Sequence, residues 1–279
     1  DDLYDISWVL KLGGQVVGAV VMSLMGLSWY LFYLPFGDGT TLILDQVQST
    51  ILTALLTVTI VNAMNFVDGL DGLAAGLGAI AAGTILIYSL TILHDQGGTV
   101  AAYPPAIISA ALVGICMGFL PHNFSPARIF MGDSGAMLIG LLLSAACTSA
   151  SGRINAALYG PADMVALLSP MIVVLAALSI PLLDLVMAVV RRVSQGKSPF
   201  SPDKKHLHHR LLHIGHSQKR VVLVLYTWVG VVAFGAVGLT VLPLHVMAIS
   251  FSLLVIVAIV ATVVPLWREN RKSNTAQVS

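Results

Sequence analysis

Eight stretches of this chain are apolar almost without a break, at approximately residues 13–33, 48–64, 73–93, 106–120, 136–150, 164–190, 221–242 and 246–267. Crossing about 30 Å of hydrocarbon takes roughly 20 helical residues, so each stretch reads as a membrane span. The fourth and fifth are short. The sixth is long and carries Pro170 and Pro181, which predict a kink or break. None shows the alternation of a membrane β-barrel, and small residues recur at helical spacing, as at Gly72, Gly76 and Gly83, which suits close helix packing. The pattern predicts an all-α, polytopic transmembrane helical bundle of about eight spans.

Composition agrees with the pattern. The 279 residues are 57% hydrophobic and only 10% charged, with a mean hydropathy of +0.91, whereas a soluble domain carries about 25% charge. Cys116 and Cys147 both lie in apolar runs, which excludes a disulfide framework or a thiolate zinc site. The net charge of +1 hides a strong segregation. Eight spans leave nine alternating end or loop segments. The odd ones hold Lys11, Arg128, the eight cations between Arg191 and Arg220, Arg268, Arg271 and Lys272; the even ones hold only Arg153. By the positive-inside rule the crowded face is cytoplasmic. The opening Asp1-Asp2, with no initiator Met or leader before it, reads as the start of a fragment or processed chain. The chain is read as one integral-membrane domain, residues 1–279, with a basic, histidine-rich loop at 191–220.

Four polar clusters fall on that same face. They are Asp1-Asp2-Leu3-Tyr4-Asp5; Asn65-Phe66-Val67-Asp68-Gly69-Leu70-Asp71-Gly72; Phe130-Met131-Gly132-Asp133-Ser134-Gly135; and Ser201-Pro202-Asp203-Lys204-Lys205-His206-Leu207-His208-His209-Arg210. A transporter would place its ionisable groups near the bilayer midplane, whereas these sit at helix ends. Gathered carboxylates repel unless a cation neutralises them, and hard oxygen ligands favour Mg2+ or Mn2+ over zinc. Lys204, Lys205, Arg210 and the histidines supply the complement for phosphate oxygens. Carboxylates, a metal and bases together point to phosphoryl chemistry.

Plainer readings compete. Asn-x-x-Asp-Gly is also common turn chemistry, and the Ca2+-loop spacing of an EF-hand is missing. Gly132-Asp133-Ser134-Gly135 has the look of a serine-protease segment, but it opens a membrane span. His206, His209, His213 and His216 would share a helix face, as a zinc or sensor site requires, or act as phosphate or surface contacts. Arg191, Arg192, Lys219 and Arg220 are adequately explained as a headgroup-binding, topogenic surface. Asp184 lies within a span and is either functional or a helix-packing hydrogen-bond partner. His94, His122 and His245 are placed in loops.

Taken in order, Asp-Asp-x-x-Asp, Asn-x-x-Asp-Gly-x-Asp-Gly, Phe-Met-Gly-Asp-Ser-Gly and Ser-Pro-Asp-x-x-His-x-His-His-Arg-Leu resemble the polyprenyl-phosphate N-acetylhexosamine-1-phosphate transferases, most closely the bacterial WecA/TagO-type group that uses UDP-GlcNAc. The resemblance runs essentially from Asp1 to the last span. It implies transfer of GlcNAc 1-phosphate from UDP-GlcNAc to a polyprenyl phosphate with release of UMP and Mg2+ assistance, in a bacterial plasma membrane, with no nucleic-acid partner and with a homodimer as one permitted assembly. It makes Asp133 the metal ligand and puts Asp1 and Asp2 near the lipid phosphate. Asn65, Asp68 and Asp71 would contact nucleotide and diphosphate, and His206, His208 and His209, with Lys205 and Arg210 beside them, the diphosphate-sugar. Members of the group have about eleven spans, so the eight here imply a loss before Asp1. His-x-His-His departs from the three adjacent histidines of the phospho-MurNAc-pentapeptide transferases, which favours GlcNAc as the donor sugar. The same chemistry with another UDP-N-acetylhexosamine or a phospho-MurNAc-pentapeptide donor, or a non-catalytic membrane transporter or lipid-binding protein, is the alternative.

Overall fold

In a computed structural model of the chain the described residues are 7–34, 40–95, 103–151, 172–173, 175–196, 198 and 217–276. Asp1, Asp2, Lys205, His206, His208, His209, Arg210 and residues 164–171 of the sixth span lie outside them. The elements in order are α1 (Trp8–Leu24), β1 (Leu31–Leu34), β2 (Thr40–Ile43), α2 (Gln46–Val67), α3 (Leu73–Asp95), α4 (Tyr103–Asn123), α5 (Gly132–Ser151), α6 (Ser179–Ser194), α7 (Gln218–Val241) and α8 (Leu244–Ala276). Six of these helices, α2 to α5, α7 and α8, are long and apolar enough to cross a membrane, and α1 is a shorter apolar helix. The protein is a multi-pass helical membrane protein.

Three sequence expectations need correction. The first span does not reach Tyr33. Helix α1 closes at Leu24, where the Gly26 N–H bonds to the Ser23 carbonyl and the Leu27 N–H to that of Met22. That is a Schellman stop, and it needs the left-handed φ of +88° that Gly26 supplies. The chain then forms an antiparallel ribbon, with Leu31 opposite Ile43 and Leu34 opposite Thr40, so apolar continuity there reflects a hairpin. Gly72 stands in the turn before α3, at φ +81°. His94, His122 and His245 sit in the terminal turns of α3, α4 and α8.

The short fourth and fifth runs lengthen into full helices because polar residues join their ends. Pro104 and Pro105 enter α4 in its first turn, where proline loses no helical hydrogen bond. The expected break in the sixth span is met at Leu178, the cap of α6, and Pro181 falls in that helix's first turn. Helix α2 starts with a capping box: the Asp45 carboxylate accepts from the Gln48 N–H at 2.8 Å while the Gln48 side chain accepts from the Asp45 N–H.

Small residues set the packing, since lipid offers helices no hydrophobic drive to associate and close van der Waals contact must replace it. Ala74, Ala81 and Ala82 of α3 meet Leu112 and Cys116 of α4 and Leu143 and Ala146 of α5 in one core. Gly140 of α5 lies against the backbone of α2, where a Cβ would stand 2.7 Å from Val61 Cα. One helical turn along the same seam, the Thr57 and Ser144 hydroxyls share a buried hydrogen bond of 2.7 Å. These two contacts fix α2 against α5, and through them the separation of the polar residues at their ends. Helix α8 packs on α7 and otherwise faces outward.

Candidate active site

Asp133 is the residue on which the site converges. Gly132, at φ +66°, turns the chain into α5 and puts Asp133 in its first turn, where unpaired N–H groups and the helix dipole favour a carboxylate. Asn65, in the last turn of α2, donates through Nδ2 to Asp133 Oδ1 at 3.0 Å. Lys11, from the first turn of α1, makes a 2.8 Å ion pair with Asp133 Oδ2. A carboxylate offers about four lone-pair directions, so one on each oxygen stays available. Residues separated by 68 and 122 positions thus meet on one side chain.

The α2–α3 turn carries the other two carboxylates. Asp68 caps α2, with its N–H on the Asn65 carbonyl at 3.3 Å. Burial first, and then the negative charges of Asp133 and Asp71, push the Asp68 carboxyl up to about 7. Asp71 points the other way: its Oδ2 accepts the Ala127 N–H at 3.1 Å, in the loop between α4 and α5. The two aspartates of the Asn-x-x-Asp-Gly-x-Asp-Gly segment therefore have different surroundings.

A cavity of about 350 Å³ opens beside the Lys11–Asp133 pair, between α1, α2, α5 and α6. Trp8, Leu12, Val58, Phe66, Met137, Leu185 and Val189 line it with apolar side chains, and Lys11, Gln15, Thr59, Asn62, Asn65 and Arg192 with polar ones. Arg192 is buried at 4% exposure, with its guanidinium 5.3 Å from the centroid of the Phe66 ring, a cation–π contact that holds a cation in an apolar wall. Asn62, one turn before Asn65, donates to Gln15 Oε1 at 2.7 Å and ties α1 to α2 along the same cavity.

Asn65, Asp68, Asp71 and Asp133 come together at one end of the bundle, as the alternation of spans requires. Asp184 is buried in α6 at 2% exposure. Lys11, Arg192 and Phe66 were not among the residues singled out as site candidates. Lys11 did carry a signal, being the sole Lys or Arg ahead of Arg128. Arg192 was masked by its neighbour: in Arg191-Arg192 a step of 100° turns one side chain inward, and adjacency alone does not say which.

Among the described residues no three of His, Cys, Asp and Glu converge closely enough to hold a metal by themselves. The donor set does fit Mg2+, which uses one or two carboxylates and takes the remaining oxygens from substrate phosphates and water. The Asp68 carboxyl is displaced toward protonation first by burial and then by the charges of Asp133 and Asp71, and a cation bound beside it would favour its charged form.

Comparison with known proteins gives the family. The sequence model described as "Glycosyl transferase family 4" matches residues 1–151. The chain is 53% identical over 268 residues to a decaprenyl-phosphate N-acetylglucosaminephosphotransferase of Mycolicibacterium smegmatis, covering 96% of this chain and 66% of that protein. The protein of the same description from Mycobacterium tuberculosis is 55% identical over 269 residues, with the same coverage. A probable undecaprenyl-phosphate N-acetylglucosaminyl 1-phosphate transferase of Bacillus subtilis is 34% identical over 282 residues, 99% of this chain and 71% of that protein. The chain thus spans 66% of the length of the mycobacterial relatives it matches. With the match running through Asn65, Asp68, Asp71 and Asp133, the chain belongs to glycosyl transferase family 4.

Proposed function

We propose that the protein transfers N-acetylglucosamine 1-phosphate from UDP-GlcNAc to a polyprenyl phosphate, releasing UMP, on the cytoplasmic face of a bacterial plasma membrane. The observation that carries this reading is the junction of Lys11, Asn65 and Asp133 beside a cavity lined by both apolar and polar side chains. A phosphate on an isoprenoid tail calls for both kinds of contact. The printed names of the relatives, which pair a polyprenyl phosphate with an N-acetylglucosamine phosphate, support the same substrates.

The acceptor phosphate is a monoester with a second pKa near 6, so at neutral pH it is mostly dianionic and already a nucleophile. Its oxygen attacks the β-phosphorus of the donor in line; the new P–O bond forms as the bond from that phosphorus to the bridging oxygen breaks, and UMP leaves with the bridging oxygen. Two anions must meet, so the main catalytic demand is relief of repulsion. Lys11 and Arg192 are suited to hold the acceptor's head at the end of the cavity. Asn65 orients Asp133, which with Asp68 would hold Mg2+. The bound ion would neutralise the donor diphosphate and the charge developing on UMP. Asp1 and Asp2 belong near the acceptor phosphate in this reading, and His206, His208, His209, Lys205 and Arg210 near the diphosphate-sugar.

The test is to incubate the purified full-length protein with a polyprenyl phosphate and a panel of labelled UDP-sugars, and to follow UMP. UDP-GlcNAc should support UMP release only with acceptor and divalent cation both present. A burst of about one UMP per site without acceptor would indicate an aspartyl intermediate and overturn direct attack. Orientation is checked separately: a cysteine at Gly69 should be labelled in inside-out vesicles and protected in right-side-out ones.

A further inference from the structure

The buried residues of α1, Ala19, Met22 and Ser23, all lie in its second half. The first half, which carries Lys11, is not seated by close backbone packing. A Cβ at Gly13, Gly14 or Gly18 would meet nothing within 4 Å among the described residues, whereas one at Gly140 would collide with α2. This half reaches its neighbours through polar side chains instead. Lys11 meets Asp133 of α5, and one helical turn further along α1 Gln15 meets two helices at once. Its Oε1 accepts from Asn62 Nδ2 of α2 at 2.7 Å, and its Nε2 donates to Met137 Sδ of α5 at 3.5 Å. Asn62 Nδ2 also donates to the Val58 carbonyl at 2.7 Å, which holds the amide plane against α2.

These contacts form two tiers. Lys11, Asn65 and Asp133 make one; Gln15, Asn62 and Met137, offset from them by four, three and four residues, make the other. Residues three or four apart share a helix face, so the same faces of α1, α2 and α5 meet twice, one turn apart. The two tiers differ in stiffness. The Lys11 ammonium ends a flexible four-carbon stem that can follow Asp133 through small displacements, so the ion pair does not by itself fix where α1 stands. The Gln15 amide is planar and joined to a second amide whose other bond is to its own helix, and interhelical hydrogen bonds of this kind hold helices together where lipid gives no hydrophobic drive. A slip of α1 by a single turn would carry Lys11 about 5.4 Å along the axis.

We infer that Gln15, through Asn62 and Met137, is a positioning residue that sets the axial register of α1 and so delivers the Lys11 ammonium to Asp133 and to the cavity beside it. What Lys11 does there rests on the phosphotransferase reading; the register does not. Gln15 and Asn62 also line the cavity, so direct contact with the acceptor is the competing role, and the two roles have different signatures.

The experiment uses the full-length enzyme with Gln15→Leu, Gln15→Asn, Asn62→Gln, the exchanged pair Gln15→Asn/Asn62→Gln, and Lys11→Met with and without Gln15→Leu. Gln15→Leu keeps the side-chain volume and removes the amide. Its kcat should fall about tenfold with the KM for UDP-GlcNAc within about twofold of the parent. Gln15→Asn and Asn62→Gln each change the length of the bridge by a methylene and should each lose about fivefold. The exchanged pair restores the summed length and should return to within about twofold of the parent. In the Lys11→Met background Gln15→Leu should add less than about twofold, because a residue that acts by placing Lys11 has nothing left to place. Mn2+ binding to the substrate-free protein, followed by electron paramagnetic resonance, gives a readout without turnover. Gln15→Leu should tighten it by about threefold, in the direction of Lys11→Met, since a displaced ammonium competes less well for Asp133 Oδ2. Losses that multiply with Lys11→Met, an exchanged pair no better than its single members, or Mn2+ binding that is unchanged or moves against Lys11→Met would overturn the inference. If the parent releases no UMP, the phosphotransferase reading falls, and the distance between spin labels at the exposed Val17 and Leu55 decides the register alone. It should shift or broaden in Gln15→Leu and return in the exchanged pair; an unchanged distance would show that Gln15 does not set it.

Discussion

The site has two walls built on opposite terms. On the α3–α4–α7 side the Gly72 N–H donates to the Asn123 side chain of α4, the Gly72 carbonyl accepts both the Tyr226 hydroxyl of α7 and the Gly76 N–H, and the residues behind the turn, Leu73, Ala74, Ala75 and Leu77, are all buried. On the α1–α6 side the walls are long side chains around an open cavity, and the outward residues of those helices, such as Val17 and Val190, are exposed. In the proposed reaction, a centre that directs a carboxylate and an ion at a diphosphate would gain from rigidity, since donors that are fixed in advance need no reorganisation during reaction. A wall that admits and releases an isoprenoid would gain from the reverse. Asp133 stands where the two meet, bonded to Lys11 from the open wall and to Asn65 from α2.

The largest effect should come from the junction itself. Asp133→Asn should lower the rate of UMP release by at least about 10³-fold and abolish its response to Mg2+, because the oxygen charge that would hold the ion is gone; the check is rate against Mg2+ concentration in folded variant. Substantial turnover with an unchanged Mg2+ response would remove Asp133 from the centre.

Next is the seam that lets the walls meet. Gly140→Val would put side-chain atoms into the α2 backbone at Val61. It should cost about 1–3 kcal/mol as overpacking and at least about tenfold in kcat, read by thermal unfolding and by UMP release. A variant with parental kcat would show that the Asn65–Asp133 distance does not depend on this seam.

Lys11→Met separates charge relief at Asp133 from metal binding. It should slow transfer by roughly 10²-fold yet tighten Mn2+ binding to the substrate-free protein, followed by electron paramagnetic resonance, because the cation competing for Asp133 Oδ2 has gone. Weaker Mn2+ binding would show that Lys11 supports the ion.

Filling the open wall should act on one substrate only. Val189→Trp narrows the cavity and should raise the KM for polyprenyl phosphate by about tenfold while leaving that for UDP-GlcNAc unchanged. Equal changes in both would deny the division of the two walls.

The smallest effect is electrostatic. The Asp68 carboxyl is raised to about 7 in the folded chain against an ordinary 3.8. The unfolded chain therefore loses its proton first, and the folded state is progressively disfavoured as pH rises from about 4 to about 7, with no further loss above that. Asp68→Asn abolishes this dependence. In the absence of divalent cation its Tm should exceed the parent's by a few degrees at pH 8 and match it near pH 4. A parent more stable at pH 8 would mean that Asp68 is held charged by a cation.

Much of this was legible along the chain. Long apolar runs predicted helices α2 to α5, α7 and α8 because, with the alternation of a β-barrel absent, only a helix pairs its own backbone polar groups inside the bilayer. The segregation of cations predicted that Asn65, Asp68 and Asp133 would share one end, and they do. The first span misled because apolarity does not distinguish a lipid-facing helix from a hairpin strand, and only the stop at Gly26 separates them. Asn123 and Tyr226 gave no local signal: an asparagine at a helix end and a tyrosine in an apolar run are ordinary there, and their meaning lies in partners far away in sequence.

By itself the sequence determined that this chain fills a membrane with helices, that the polar segments at 65–72 and 130–135 share one end, and which family the chain belongs to, since hydrophobic length, charge bias and motif identity are all local properties. Only the tertiary structure decided that Lys11 and Asn65 divide the two oxygens of Asp133, that Arg192 turns inward over Phe66, and that Asp71 is spent on a backbone N–H. The reason is physical. Direction and distance between side chains on different helices follow from how closely small residues such as Gly76 and Gly140 let those helices approach, and that is a property of the packed bundle rather than of any one segment.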